Sequence, residues 1–353
     1  MSFPTQREAK LRDAEIRREI AQGAWIDPRD QTITVRELGE QWRDQAVREG
    51  TRRDRQFLVD NLGALTDCPL VKVRRTMVTE WVNQLREGRP WAGGRPLAES
   101  NVINRCGQLR SLFQHAIDDG LLARNPAVVL KRQPRPEGSV IERAVPTPAM
   151  IRSLIATAVT GGAVPGQADD QPVTLPASPW LSMAVRIASE TGLRAGEVAG
   201  LVWEDVDLTG RVLRVRQQRG QRSGERVPLK TRTSVRDIPI SAPLADYLGD
   251  CRDGGDVDPV VRSVRGRPVT TQRISAAMPK LRYIAGVPEE ISFHGLRHYY
   301  ASRLLASGVP LPTVSALLGH GNIAVTAQVY AHYLPGQMDL ARDALERLAG
   351  EIG

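Results

Sequence analysis

The stretch HGLRHYYAS, residues 294–302, places two histidines and an arginine within five positions at the predicted start of a helix. His294 and Arg297 are three residues apart and therefore share one helix face. The apolar side chains of another face recur every four residues, at Leu296, Tyr300 and Leu304. The pattern predicts one face that packs and one that can bind an anion. In isolation a solvated basic face with a core histidine is the more common case, so the rest of the chain has to decide.

The composition predicts a soluble, globular protein of a reducing cytoplasm. The chain has 353 residues, 41% of them hydrophobic, and shows no apolar run long enough to span a membrane. Its N-terminus is charged and lacks the apolar core of a secretion signal. The three cysteines, Cys68, Cys106 and Cys251, are too scattered for a disulfide framework or a metal site.

The charge balance favours a polyanionic partner, with nucleic acid as the first candidate. The formal net charge is +8 and the isoelectric point is about 9.8. Arginine dominates the basic residues, and its planar guanidinium suits bidentate contacts to phosphate. A GC-rich genome enriches arginine as well, so composition alone also fits a basic soluble protein without such a partner.

The hydrophobic pattern divides the chain into two domains joined by a linker. Residues 1–31 hold one charged helix, and residues 32–130 are helical throughout, which predicts a compact helical domain. Residues 131–147 combine prolines with basic residues and predict an extended linker. From 148 to 353 the pattern is mostly helical, with a Gly/Pro loop at about 160–179 and strands in GRVLRVRQQ and SVRDIPIS. The predicted fold class is mainly α with a small antiparallel β-sheet.

Four segments of the second domain carry chemically distinctive residues in a fixed order. They are TGLRAGEVAGLVWEDVDL, VPLKTRTSVRDIPI, HGLRHYYASRLLASG and LLGHGNIAVTAQVYAHY. Each motif alone is weak, but the ordered set resembles the tyrosine recombinase (phage integrase) family. The resemblance covers roughly residues 34–345 and is stronger in the second domain. It implies a helical core-site-binding domain followed by a mixed α/β catalytic domain.

The resemblance implies six catalytic positions, and all are present here: Arg194, Lys230, His294, Arg297, His320 and Tyr330. Tyr330 would attack a DNA phosphate, forming a 3′-phosphotyrosyl bond and releasing a 5′-hydroxyl without ATP. Arg194 and Arg297 would hold the non-bridging oxygens, with His320 as a further donor. His294 would take the tyrosine proton and Lys230 would protonate the leaving group. Such a site requires neither a metal ion nor another cofactor.

Several of these residues also have an ordinary structural interpretation. Arg194 lies three residues before Glu197 in a predicted helix and can form a simple ion pair, although the family makes Glu197 its support. Lys230 can be an ordinary hairpin lysine, with Lys280 or a nearby arginine in its place. His320 can cap the carbonyls at a helix end.

Three further residues near these motifs compete for roles in the site. Tyr333 is the rival nucleophile, but it lies too late in the chain for the family spacing. His298 and His332 also match family positions, and we interpret both as structural histidines that bond to the backbone.

A second set of basic residues is assigned to DNA binding. The stretches TRRDRQ and KVRR are of a kind that usually forms solvated helix faces, but the resemblance makes them DNA-facing. The set comprises Arg52, Arg53, Arg55, Lys72, Arg74 and Arg75 in the helical domain, and Lys131 and Arg132 in the linker.

The resemblance also implies partners and a biological role. In the family the two domains clamp double-stranded DNA at an inverted-repeat core site, and four protomers exchange strands, with accessory DNA-bending or excision factors in some systems. The C-terminal LARDALERLAG helix would dock on a neighbouring protomer or on its own domain. Residues 1–31 resemble the end of an arm-site-binding domain, which favours a mobile-element integrase over a Xer-type dimer resolvase. No membrane partner is expected.

Two functions from other classes stay open. A non-catalytic DNA-binding protein can share this fold, but the complete catalytic set argues against it. A metal-dependent nuclease needs acidic residues spaced for two-metal catalysis, and the carboxylates near the motifs lack a convincing spacing. These carboxylates are Glu197, Glu204, Asp205 and Asp207.

Overall fold

The computed structural model describes residues 5–7, 10, 13–14, 17–18, 27, 30–129, 145–164, 172–220, 224–229, 231–330, 342 and 345–346. Its contacts divide the chain into two compact units, residues 1–135 and 136–353. This division lies inside the predicted linker at 131–147, and the other segment limits stay a prediction. No described helix is long and apolar enough to cross a membrane.

The first unit contains the helices that the sequence predicts. Its long helices are α1 Val35–Asp44, α2 Glu49–Val59, α3 Arg75–Glu87 and α4 Glu99–Asp118. Helix α1 begins at a capping box, because the Thr34 hydroxyl accepts from the Glu37 N–H at 3.2 Å and the Glu37 carboxylate accepts from the Thr34 N–H at 2.8 Å. In the preceding segment, the described residues Gln6, Arg7, Lys10, Asp13, Ala14, Arg17 and Arg18 are helical.

A single apolar core holds this unit together. Trp81, Leu109 and Phe113 are almost fully buried within it, and the Trp81 indole N–H donates to the Asn61 carbonyl at 2.7 Å. The turn at Gly63 requires glycine, because its φ is +55° and an added Cβ would lie 2.3 Å from the Trp91 ring. The apolar spacing along each helix therefore corresponds to the helix face that is buried in this core.

The second unit is mostly helical as well. Its helices are α5 Pro148–Thr160, α6 Pro179–Thr191, α7 Ala195–Gly200, α8 Ala242–Asp250, α9 Thr271–Ile284, α10 Phe293–Ala306, α11 Leu311–Leu318 and α12 Ile323–Tyr330. Helix α10 packs against α6 in the centre of the unit. A smaller apolar cluster joins α10 to α11 and α12 through Tyr300, Leu318 and Tyr330.

Small antiparallel sheets complete this unit. The strands are β1 Gly162–Val164, β2 Val173–Leu175, β3 Val206–Asp207, β4 Val212–Val215, β5 Gln217–Arg219, β6 Arg226–Pro228 and β7 Arg236–Pro239. They pair as β1–β2, β3–β4–β7 and β5–β6. The loop prediction for 160–179 was wrong in part, because β1 and β2 lie within it. These strands have three residues each, too few to show alternation in the sequence.

Candidate active site

Arg194 and Glu197 meet at the N-terminus of helix α7. Arg194 is the residue that precedes the helix, not a helical residue as predicted, and its backbone N–H donates to the Glu197 carboxylate at 3.0 Å. Its guanidinium also contacts Glu197, at 2.8 Å. The Arg194 side chain is 37% exposed whereas Glu197 is 2% exposed, so the arginine faces outward from a buried carboxylate.

Arg236 on strand β7 completes this cluster, and the sequence analysis missed it. Its guanidinium donates to Glu197 at 2.9 and 3.3 Å and to the Leu317 carbonyl, at the end of α11, at 2.6 Å. Burial alone would raise the pKa of Glu197, but the hydrogen bond and charge of Arg236, with Arg194, lower it overall. Alternation along β7 was the available signal, because Arg236 shares the inward phase of Ile238.

Arg297 lies at the centre of the site and is 1% exposed. The alternative interpretation of this segment, a solvated basic face, therefore does not describe Arg297. Its guanidinium donates to the Gly192 carbonyl at 2.9 Å and to the Leu318 carbonyl at 2.6 Å, which are the C-terminal ends of α6 and α11. Both helix ends carry partial negative charge. Burial and the charge of Arg194 lower the pKa of Arg297 to about 9, so it remains charged at neutral pH.

His320 follows α11 and bonds to side chains, not to helix carbonyls. Its Nε2 lies 2.8 Å from Arg297 Nη2, and its Nδ1 lies 2.8 Å from the Thr326 hydroxyl. The carbonyls at the end of α11 are bound by Arg236 and Arg297 instead. Burial and the nearby Arg297 charge lower the pKa of His320 to about 4, so the ring is neutral at neutral pH.

Tyr330 is held by His298, not by the histidine that the sequence analysis assigned to it. Its hydroxyl lies 2.6 Å from His298 Nδ1. The structural interpretation of His298 as a backbone-bonded residue was wrong, because its partner is the predicted nucleophile. His294 lies one turn earlier on α10, is exposed, and packs its ring against His298 with centroids 4.8 Å apart. Burial lowers the pKa of His298 to about 4.

Some predicted residues lie outside the described part of the chain. Lys230 lies two residues after the end of strand β6, but it is not among the described residues, and neither are Lys131, Arg132, His332 and Tyr333. Most of the predicted C-terminal helix is also outside them. The β5–β6 hairpin itself is anchored to the unit, because the Arg219 Nε donates to the Ala199 carbonyl at 2.8 Å and Arg226 contacts Asp205 at 2.8 Å.

The basic residues of the first unit differ in how freely they can contact DNA. Lys72, Arg74 and Arg75 are exposed near the start of α3, and Arg52 is exposed on α2. Arg53 lies 3.8 Å from Glu49. In contrast, Arg55 stacks 3.9 Å from the Trp42 ring centre and donates to the Trp42 carbonyl, so its guanidinium is used within the unit.

The carboxylates considered for a metal-dependent nuclease are each bonded to an arginine. Glu197 bonds to Arg236 and Arg194, Asp205 and Glu204 contact Arg226, and Asp207 contacts Arg214. Within the described residues, no group of three or more His, Cys, Asp or Glu side chains is arranged to hold a metal ion.

Known proteins of similar sequence include tyrosine recombinases. The model of the phage integrase family matches residues 168–336. The chain is 27% identical to a XerC-like tyrosine recombinase of Caldanaerobacter subterraneus subsp. tengcongensis, over 98% of this chain and 90% of the relative. The chain is thus similar to tyrosine recombinases, over residues 168–336 in the family comparison and over nearly its whole length in this relative. This confirms the family prediction that the four ordered motifs gave.

The chain is similar in sequence to further XerC recombinases and similar in fold to two integrases. It is 28% identical to the tyrosine recombinase XerC of Methylobacterium sp. (strain 4-46), over 96% of both chains. Its fold matches the Tn1549 transposon integrase with a TM-score of 0.68 at 23% identity, over 90% of this chain and 99% of that one. Lambda integrase matches with a TM-score of 0.60 at 18% identity, over 94% of this chain and 88% of that one.

Proposed function

We propose that this protein is a site-specific recombinase that breaks and rejoins double-stranded DNA at an inverted-repeat core site, through a covalent link to Tyr330. The observation that carries the proposal is that Arg194, His320 and Tyr330 surround Arg297: it contacts His320 directly, and the charges of Arg194 and Tyr330 act on its pKa. A DNA partner is supported by relatives of the same fold. The Tn1549 integrase is seen with a circular intermediate DNA and lambda integrase with a COC′ core site.

The chemistry is one transfer of a phosphoryl group. The Tyr330 oxygen attacks phosphorus, and a bond to tyrosine forms as the bond to the 5′-oxygen breaks. The hydroxyl proton passes to His298 Nδ1, which lies 2.6 Å away and replaces His294 as the acceptor. Lys230 gives a proton to the departing 5′-oxygen. The phosphodiester energy is kept in the tyrosyl bond, so the second strand can be joined without ATP.

The arginines provide the charge that the transition state needs. Arg297 has five N–H donors, and its contacts to Gly192, Leu318 and His320 use three of them. The other two N–H groups are on Nε and Nη1 and point in different directions; once the site is uncovered, either of them can donate to a non-bridging oxygen. The Arg194 side chain is 37% exposed and can bind the other oxygen. Fixed donors of this kind act as an oxyanion hole.

Tyr330 must be uncovered before it reacts. Its side chain is 1% exposed and packs in the cluster of α10, α11 and α12. A phosphate cannot reach a hydroxyl so covered, so DNA binding or a neighbouring protomer has to shift the contacts of α12. A tetrameric assembly, as seen for lambda integrase on a Holliday junction, would provide such neighbours.

The biological role we propose is integration or excision of a phage or other mobile element. It rests on the resemblance of residues 1–31 to the end of an arm-binding domain. Dimer resolution by a Xer-type enzyme is the second candidate, since XerC relatives match almost the whole chain. Recombination of the element's own junction, compared with a chromosomal dimer-resolution site, separates the two roles.

A suicide substrate tests the activity. The purified chain is incubated in EDTA with a nicked duplex of the element's junction, and SDS-resistant adducts are mapped by mass spectrometry. We expect the adduct on Tyr330, its loss in Tyr330→Phe, and its retention in Tyr300→Phe, a matched buried tyrosine of the same cluster. An adduct that survives in Tyr330→Phe would contradict the assignment and point to Tyr333. Binding without any adduct would indicate a non-catalytic DNA-binding protein.

A further inference from the structure

Thr326 is a fully buried hydroxyl that the chemistry above does not use. It is 0% exposed and lies on α12, four residues before Tyr330, so both side chains project from the same side of that helix. The Thr326 hydroxyl contacts His320 Nδ1 at 2.8 Å and donates to the Ser315 hydroxyl on α11 at 3.1 Å. Burial of such a group requires that its hydrogen bonds be made, so its partners define its role.

The contacts of His320 fix which ring nitrogen carries the proton. A guanidinium can only donate, so the 2.8 Å contact from Arg297 Nη2 requires a lone pair on Nε2. A neutral ring then carries its proton on Nδ1, so in this arrangement His320 has no N–H left for a phosphate oxygen, the donor role that the resemblance implied for it. The Thr326 hydroxyl has one proton, which it gives to Ser315, so its oxygen must accept from Nδ1. The contact at Nε2 and the contact at Nδ1 therefore require the same tautomer of His320.

The Nε2–H tautomer of His320 is disfavoured at both of its hydrogen bonds. A proton on Nε2 would face the Arg297 N–H, and Nδ1 would face a threonine oxygen whose proton is already bonded to Ser315. Removing the Thr326 hydroxyl would leave a buried Nδ1–H without an acceptor. The ring would then turn or change tautomer, and Arg297 Nη2 would lose its partner.

We propose that Thr326 is a positioning residue for the strand-transfer reaction: it holds His320 in the Nδ1–H form and thereby orients the Arg297 guanidinium toward the scissile phosphate. This inference rests on the proposed function and adds a residue to it. It also places the orienting group on the helix that carries the nucleophile. A shift of α12 that uncovers Tyr330 therefore acts on His320 and Arg297 at the same time.

The test compares Thr326→Val, which keeps the shape and removes the hydroxyl, with Thr326→Ser, which keeps the hydroxyl. Long-range ¹H–¹⁵N spectra of the full chain with ¹⁵N-labelled imidazole rings report the tautomer. His320→Gln identifies the His320 signals among the five histidines. We expect Nδ1–H in the wild type and in Thr326→Ser, and loss of that form in Thr326→Val. Nε2–H in the wild type would overturn the proposal.

Adduct formation on the suicide substrate provides the second measurement. We expect Thr326→Val to slow adduct formation roughly 10- to 100-fold, as is typical when the group that orients a functional histidine is removed. DNA affinity should be nearly unchanged, the melting temperature of Thr326→Val should fall by only a few degrees because a buried hydrogen bond is lost, and Thr326→Ser should react at close to the wild-type rate. A wild-type rate in Thr326→Val would refute the positioning role. If the wild type forms no adduct, the proposed function fails, while the spectra still decide the tautomer.

Discussion

Replacing Glu197 by glutamine is expected to destabilise the second unit strongly. Glu197 is 2% exposed and accepts hydrogen bonds from Arg236 at 2.9 and 3.3 Å and from Arg194 at 2.8 and 3.0 Å. Glutamine keeps one oxygen, but its amide group would face arginine N–H donors. The change also leaves the buried Arg236 guanidinium without its counter-charge.

The magnitude follows from the burial of both partners. Removing one partner of a buried ion pair costs about 3–5 kcal/mol, because the remaining charge is left in a medium of low polarity. Glutamine retains some of the hydrogen bonding, so we expect the free energy of unfolding to fall by about 2–4 kcal/mol. The side chain of Arg194 should lose its alignment as well, and adduct formation should fall with it.

Equilibrium urea unfolding measures this effect, with Asp237→Asn as a matched control. Asp237 is the neighbour of Arg236 on β7 and pairs with Arg216 at 2.6 Å, but both side chains are substantially exposed. An exposed pair contributes about 0–1 kcal/mol, so the control should change stability little. If Glu197→Gln is no more destabilising than Asp237→Asn, the buried carboxylate does not stabilise the site as described.

Three other measurements test separate parts of the structure. The folded-state pKa of Glu197 lies below its ordinary 4.5, so its contribution to stability is complete above pH 4.5 and is lost as the pH falls through the folded-state pKa. Unfolding measured as a function of pH should show this loss in the wild type and a smaller loss in Glu197→Gln. Lys230→Ala should be inactive on an ordinary substrate and rescued when sulfur replaces the 5′-bridging oxygen, and absence of rescue would exclude Lys230 as the acid. Arg74→Gln should reduce the slope of log affinity against log salt by about 1, whereas Arg55→Gln should leave that slope nearly unchanged and lower the melting temperature, since Arg55 stacks on Trp42. Equal salt slopes for these two variants would contradict the distinction.

Local patterns predicted the helical parts of the fold well. The helices of the first unit were predictable because each buries one face, and their apolar spacing records that burial directly. The 3-residue strands β1 and β2 were not, because they are too short for a period to be read. Helix α10 was also misleading, since it is buried on several sides and Arg297 lies inside the protein.

The partners within the site depend on contacts between distant parts of the chain. Arg236 reaches Leu317 across 81 positions, and His298 reaches Tyr330 across 32. The resemblance supplied residue types at fixed positions, but it could not say which histidine touches the tyrosine. Nothing in the sequence distinguishes Thr326 and Ser315 from other polar helix residues. Their hydrogen bond depends on how α11 packs against α12.

The covered position of Tyr330 also determines how the phenol groups of this protein should respond to reagents. Tyr283 is 43% exposed, whereas Tyr330 is 1% exposed and bonded to His298. A nitrating reagent should therefore modify Tyr283 readily and leave Tyr330 almost untouched while the protein is free. Since the proposed reaction needs an exposed Tyr330, nitration of Tyr330 would begin when DNA and neighbouring protomers activate the site.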